Sequence, residues 1–387
     1  MVIGILYREE LKEYDFGEGH PFRGDRYEIF PKFLRENLPE DDNYRILKAE
    51  WATEEDLALI CTKEYIDFTE NEFLKSAKSY YKAIRLGLTL PFTTHRFFSV
   101  GDNFVGENHG NLPRAARLIV GQMKQAVDLI QTNKFKKAVS IGGGMHHASE
   151  DYGDGFCIYN DVAFGAKYLI EKYDLERILI LDTDAHAGNG VQSGKVASGT
   201  CGYFYEDPKV LFIDIHQDPR TLYPGKGFVE EIGEGKGKGF TVNCPLWPET
   251  GWDSYQYIFE EVIFPLTEEF QPQMILRNGG TDPYWNDTLT QLGLTIADFR
   301  KIGENVREMA KICGGKEIDM IGSGYKKEAI GPGWLSLICG LAGSKIKIDE
   351  PEPVPKRYLK DPCYQDTKDM VKELKRNLKD YWRCMAE

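Results

Sequence analysis

Short aliphatic, β-branched runs recur along this chain between longer stretches of helical periodicity, and no other feature narrows the fold as sharply. The runs are VIGILY at 2–7, KAVSIGGG from 137, ILILDTD from 178, VLFIDIH from 210, MILRNGGTD from 274 and IDMIGSGY from 318. Each is nearly continuous in apolar character instead of alternating, so each must be covered on both faces. Strands of that kind, spaced by helices, build an α/β fold: an open parallel sheet with helices on both faces. The segment NLPRAARLIVGQMKQAVDLIQ predicts one such helix, capped by Asn111 and packed through Ile119, Met123, Val127 and Ile130.

At 387 residues and 42% apolar content, the chain can bury the core of one large domain, expected over residues 1–345. Beyond it, DEPEPVPKR forms a proline-and-charge spacer before an amphipathic pattern on Met370, Leu374, Leu378 and Tyr381. Residues 346–387 are therefore expected to be a spacer and a tail helix docked on the main domain or on a second subunit. GEGKGKG at 233–239 departs from a phosphate loop because Gly239 follows Lys238, and a flexible turn before the strand FTVNCPL is expected instead. The net charge of -13, without a block of lysine or arginine, argues against nucleic acid as a partner. The eight cysteines are scattered with no CxxC pair and read as reduced. The start, MVIGILYREEL, gains charge too early for a signal peptide, and no run approaches membrane-spanning length, so the expected location is cytoplasmic, away from the membrane.

Ligands of an open parallel sheet gather outside the carboxyl ends of its strands. Five of the predicted strand ends carry histidine, aspartate or tyrosine beside glycine: GGGMHH, DTDAHAGNG, HQDPRTLYPG, GGTD and GSGY. Asp182, Asp184 and His186 recur at a period of two, so on extended backbone they share a face. Asp184 and His186 can then grip one ion, with Asp282 as the natural third ligand. Three N/O ligands and an open position describe a catalytic metal, and such a donor set takes zinc, iron(II) or cobalt.

His146 and His147 can both reach one pocket if the backbone turns sharply, which Gly142, Gly143 and Gly144 permit. One could activate water and the other protonate a leaving group, with Asp182 and Asn189 as acceptors that fix their tautomers. Tyr325 is either a donor to a developing oxyanion or a core tyrosine.

These motifs resemble the histone deacetylase superfamily, in particular its prokaryotic acetoin-utilisation and acetylpolyamine-amidohydrolase-like members. The resemblance runs from YDFGEGHPFRGDR to GPGWLSLICG, with GGGMHHA, GFCIYND, DTDAHAGNG, NGGTDPYWND and GSGY in family order. It implies a single-domain sheet of the arginase-deacetylase type with one zinc, held by Asp184, His186 and Asp282, at the bottom of a narrow tunnel. It further implies that His146 and His147 handle protons, that Asp182 orients His146, and that Tyr325 polarises the scissile carbonyl. Gly155, Phe156 and Tyr223 would line the tunnel, with Leu289 near its rim. Asp102 would hold the amide or amine end of the substrate, and Arg26 would line an acetate exit path. Potassium (K+) sites on the same strand loop are also implied. Four positions depart from the commonest pattern: Ala187 replaces a second histidine, Asn189 stands where many members have aspartate, Tyr223 replaces phenylalanine, and Asp214 lies where a serine commonly helps bind potassium.

The reaction so implied is hydrolysis of an acetylated lysine side chain, an acetylpolyamine or a small acetylated amine. A flat acetamide between Phe156 and Tyr223 would favour a linear acyl-amine arm. A ureohydrolase with two manganese ions is disfavoured, since Gly188 stands where its further metal-binding aspartate should be and no DxD accompanies Asp282. The other alternative is a non-catalytic acyl-lysine or metal-binding protein.

Overall fold

The computed structural model describes residues 3–38, 44–86, 98–99, 103–191 and 197–386. Its strands are β1 (Ile3–Leu6), β2 (Tyr44–Leu47), β3 (Lys137–Ile141), β4 (Ile178–Asp182), β5 (Val210–Gln217), β6 (Thr241–Leu246), β7 (Met274–Asn278) and β8 (Glu317–Ile321). They form one sheet in the order β2-β1-β3-β8-β7-β4-β5-β6, and every pairing is parallel. β1, β3, β4, β5, β7 and β8 are buried at every residue, the condition their nearly continuous apolar runs require, with Arg277, Glu317 and Asp319 among the buried charged exceptions. This is the α/β architecture expected of the sequence.

β2 lies outside the expected set. It is a four-residue edge strand, YRIL, of which only Tyr44 is buried. A solvated edge tolerates Arg45, so it leaves no continuous apolar run to read.

The helix Leu112–Gln131 is capped by the Asn111 side chain, which accepts from the Arg114 amide, and buries Ile119, Met123, Val127 and Ile130 as its periodicity predicts. It packs on β1, β3 and β8. The tail forms the helix Tyr364–Leu378, laid on β6 and on the helix Trp252–Ile258 of the same chain. Its inward face is Val371, Leu374 and Leu378, while Met370 is half-buried and Tyr381, past the helix end, is exposed. GEGKGKG contains a short turn at Gly235–Gly237 before β6. All eight cysteines are free thiols. Among the described residues, no helix is long and apolar enough to cross a membrane.

Candidate active site

The central run β3-β8-β7-β4 explains how residues far apart in sequence come together. The loop after β3 delivers His146 and His147, that after β8 Tyr325, that after β7 Asp282, and that after β4 Asp184 and His186. Four adjacent carboxyl ends thus face one space.

β4 ends at Asp182, so the shared-face argument for D-x-D-x-H does not extend to His186. Successive side-chain-to-backbone turns replace it. The Asp184 amide donates to Asp182 Oδ1 at 3.1 Å, and the His186 amide donates to Asp184 Oδ1 at 2.9 Å. Each carboxylate folds the chain that carries the next polar side chain. Asp282 is fixed from two other elements, with Ser323 Oγ donating to its Oδ1 at 2.7 Å and the Ala185 amide to its Oδ2 at 3.1 Å.

Asp184, His186 and Asp282 place one ligand atom each within 4.8 Å of one another, and all three are buried. His186 Nδ1 lies 3.1 Å from Asp184 Oδ1 and 3.0 Å from Asp282 Oδ2, so one ring nitrogen is shared between the two carboxyl groups. Burial opposes protonation of His186, but its hydrogen bonds to those carboxylates raise its pKa to about 10. Burial and then the charge of Asp184 push Asp282 well above the ordinary carboxylate range. Two buried, mutually repelling carboxylates with an imidazole beside them fit a divalent cation, which would remove the repulsion and need no proton.

The turn after β3 is held by Asp161, which accepts from the amides of Gly144 at 2.9 Å and Met145 at 2.7 Å. Gly144 has φ +102°, and a Cβ there would fall 2.1 Å from Asn278 Oδ1. His146 Nδ1 donates to Asp182 Oδ2 at 2.8 Å, and Asn278 Nδ2 donates to the same carboxylate at 3.0 Å. Asn189 donates through Nδ2 to the His147 carbonyl, which turns its Oδ1 to accept from His147 Nδ1 at 2.8 Å. Both histidines are therefore held through Nδ1, and their Nε2 atoms stand 3.1 Å apart. Burial opposes charge on His146, but Asp182 and Asp184 outweigh it and raise its pKa to about 9. Burial, then the neighbouring His146 and His186, drive His147 well below its ordinary value.

An inner cavity of about 20 Å³, room for one water, lies between the histidine pair, Asp184, His186 and Tyr325. Outside it, a cavity of about 240 Å³ is lined by Gly155, Phe156, Leu222, Tyr223, Leu289 and Tyr325. Tyr325 is positioned by Asp287, whose carboxylate accepts from its amide at 2.8 Å. Burial and then the charges of Asp184 and Asp282 push the Tyr325 hydroxyl well above the usual phenol range, so it stays a donor at neutral pH. Arg26 is buried, donates to the Gly322 carbonyl at 2.8 Å and stacks 3.8 Å over the Phe22 ring, which lines the inner cavity. The Tyr223 hydroxyl donates to the Asp154 carboxylate, joining the two walls of the outer cavity. Asp214 accepts from the Gly188 amide at 2.8 Å and pairs with His216 Nδ1 at 2.9 Å, so protein donors hold both its oxygens. Asp102 lies outside the described residues.

Asn278, Asp287, Ser323 and Asp154 were not singled out in the sequence. Asn278, Asp287 and Ser323 sit inside quoted motifs, which was their only signal, while the partner of Asp154 appears only in three dimensions.

Fold and site together fit a hydrolase in which a buried Asp-His-Asp group able to hold a metal ion stands beside a histidine pair. A model of the histone deacetylase domain matches residues 20–341. The chain is 33% identical to a probable deacetylase of Archaeoglobus fulgidus over 395 residues, covering 99% of both. It is 31% identical to the acetoin utilization protein AcuC of Bacillus subtilis over 359 residues, covering 92% of this chain and 85% of that one. AcuC of Staphylococcus xylosus is 32% identical, with 92% and 86% covered. The chain belongs to the histone deacetylase family, and its enzymatic class is that of a deacetylase.

Proposed function

We propose that this enzyme removes the acetyl group from N-acetylated primary amines carried on a linear arm, with zinc at Asp184, His186 and Asp282. Acetyl-lysine, acetylpolyamines and small acetylated amines share that neutral acetamide, and the rim of the outer cavity selects among them. When bound, the cation supplies Lewis acidity at the floor of the site.

The chain's own groups account for the rest. Tyr325 donates its hydroxyl to the acetyl oxygen as that atom gains negative charge. His147 is backed by an amide and neutral, with an unprotonated Nε2 that lies 3.1 Å from His146 Nε2, and it takes the proton of the attacking water. His146, backed by the Asp182 carboxylate, carries positive charge beside the developing oxyanion. The imidazole pair returns one proton to the departing nitrogen, giving acetate and a free amine. Phe156 and Tyr223 flank the arm, and Arg26 lies beyond the inner cavity on the side where acetate would leave.

The observation that carries this reading is the asymmetry of the pair: two histidines 3.1 Å apart, one tied to a carboxylate and the other to an amide, beside the cluster of Asp184, His186 and Asp282. The test is turnover of an acetyl-lysine peptide, N-acetylputrescine and N-acetylspermidine by protein of measured metal content, beside Tyr325→Phe. A deacetylase should lose about 10²- to 10³-fold in kcat with that single hydroxyl. Retained turnover in Tyr325→Phe, or no acetate from any of the three substrates, would refute the proposal.

A further inference from the structure

We propose that the end of the sheet opposite the active site carries a second binding site, for an amphiphilic organic anion: a carboxylate or phosphate head on a compact apolar body. This inference is independent of the catalytic reading. It rests on a cavity of about 400 Å³ at the amino-terminal ends of the strands, in the volume range of small-molecule sites.

Among the described residues, the cavity wall carries Lys137, Arg307 and Lys311 and no acidic residue. In a chain of net charge -13, a purely cationic wall runs against the average. Lys137, the first residue of β3, is only 6% exposed, and its ammonium donates to the Leu341 carbonyl at 3.1 Å. Arg307 is half-buried against Gly343, and its guanidinium makes no hydrogen bond or ion pair with any described residue. Lys311 bonds to Glu308 out in solvent. The remaining wall is apolar, from Ile3, Leu341 and Ala342, with the turn Gly314–Gly315 closing one side.

A purely structural role for these cations is the capping of nearby helix ends, where basic side chains meet unpaired carbonyls. It accounts for one N–H of Lys137. It leaves the Arg307 fork without an acceptor, and it does not account for the open apolar volume beside it. The nearest acids lie inside the sheet. Asp319 pairs with Arg277, and Glu317, next to Lys137 in register, is fully buried and absent from the wall. Burial disfavours charge on Lys137, outweighing the pull of buried Glu317, while Arg307 beside it adds like-charge repulsion that an anion in the cavity would offset. A planar guanidinium beside a buried ammonium suits an oxyanion, and the aliphatic wall suits the chain attached to it. Inorganic phosphate would leave that wall wet, and a neutral alcohol would leave the cations unmatched.

The test is isothermal titration calorimetry on the full-length, metal-loaded enzyme, with sodium octanoate and octyl phosphate as probes and n-octanol and inorganic phosphate as controls. One amphiphile or both should bind, and the tighter of the two identifies the head group. Arg307→Gln should weaken that binding by about tenfold or more, the loss of a charge-assisted bond. Ala342→Trp, at an exposed helix end, should abolish it by filling the cavity. Both variants should keep parental deacetylase turnover, which separates this site from the catalytic tunnel. Absence of binding at millimolar probe would overturn the proposal. So would equal binding by both variants, which would place the probe in the tunnel, or octanol binding as tightly as octanoate.

Discussion

At Gly155 a single hydrogen leaves room for the imidazole of His147, the proposed base. The residue has φ +50°, and a Cβ there would fall 2.2 Å from Cδ2 of His147. Gly155→Ala should therefore displace the base by about an ångström, lowering kcat about 10²-fold while metal content and circular dichroism stay parental. Asn189 sets the charge on the same ring. Replacing its amide with a carboxylate favours the imidazolium of His147, so Asn189→Asp should raise the pKa of a base that works only when neutral. The acidic limb of the kcat/KM profile should then move to higher pH, and a limb that stays put would mean His147 is not the titrating base. At this scale the sequence was informative where one motif holds both partners. Asp182, Asp184 and His186 lie in one nine-residue stretch whose own amides and carboxylates shape it. Asn278 was illegible in its role because Asp182 is its register partner in the sheet, 96 positions away in the chain.

Elements were legible in proportion to their burial. The inner strands announce themselves because both faces must be apolar, whereas β2 at the edge has no such requirement. The tail shows the same limit. Its helical period was readable, but its inward face is completed by Val371, and the chain beyond the helix inserts Trp382 and leaves Tyr381 outside. Trp382 Nε1 donates to the Gly239 carbonyl at 2.6 Å, pinning the tail beside β6. Leu374 is fully buried on this helix and belongs to no part of the site. Leu374→Ala should cost about 2–5 kcal/mol of stability, read from denaturant unfolding, with kcat for the acetylated amine unchanged. A loss of turnover at full folding would instead tie the tail to catalysis.

The whole molecule is organised by a sheet order that the sequence does not state. Runs that follow one another along the chain are not always neighbours: β3 and β4 are separated in the sheet by β8 and β7, and that interleaving gathers the four loops of the site. Each strand end could be recognised alone, while their meeting required the topology. One consequence is thermodynamic. The three side chains proposed to bind metal follow β4 and β7 and converge only when the sheet is formed, so a cation bound there would stabilise the folded state selectively. At free zinc roughly 100 times its Kd, the linkage amounts to about 2.7 kcal/mol. Metal-stripped enzyme should therefore unfold at lower denaturant than reconstituted enzyme, with the difference growing logarithmically with free zinc. Asp282→Asn discriminates the cause. It removes the carboxylate that repels Asp184, so the metal-free variant should be at least as stable as metal-free parent, yet added zinc should stabilise it far less. If zinc stabilises Asp282→Asn as strongly as the parent, the cation binds elsewhere on the molecule.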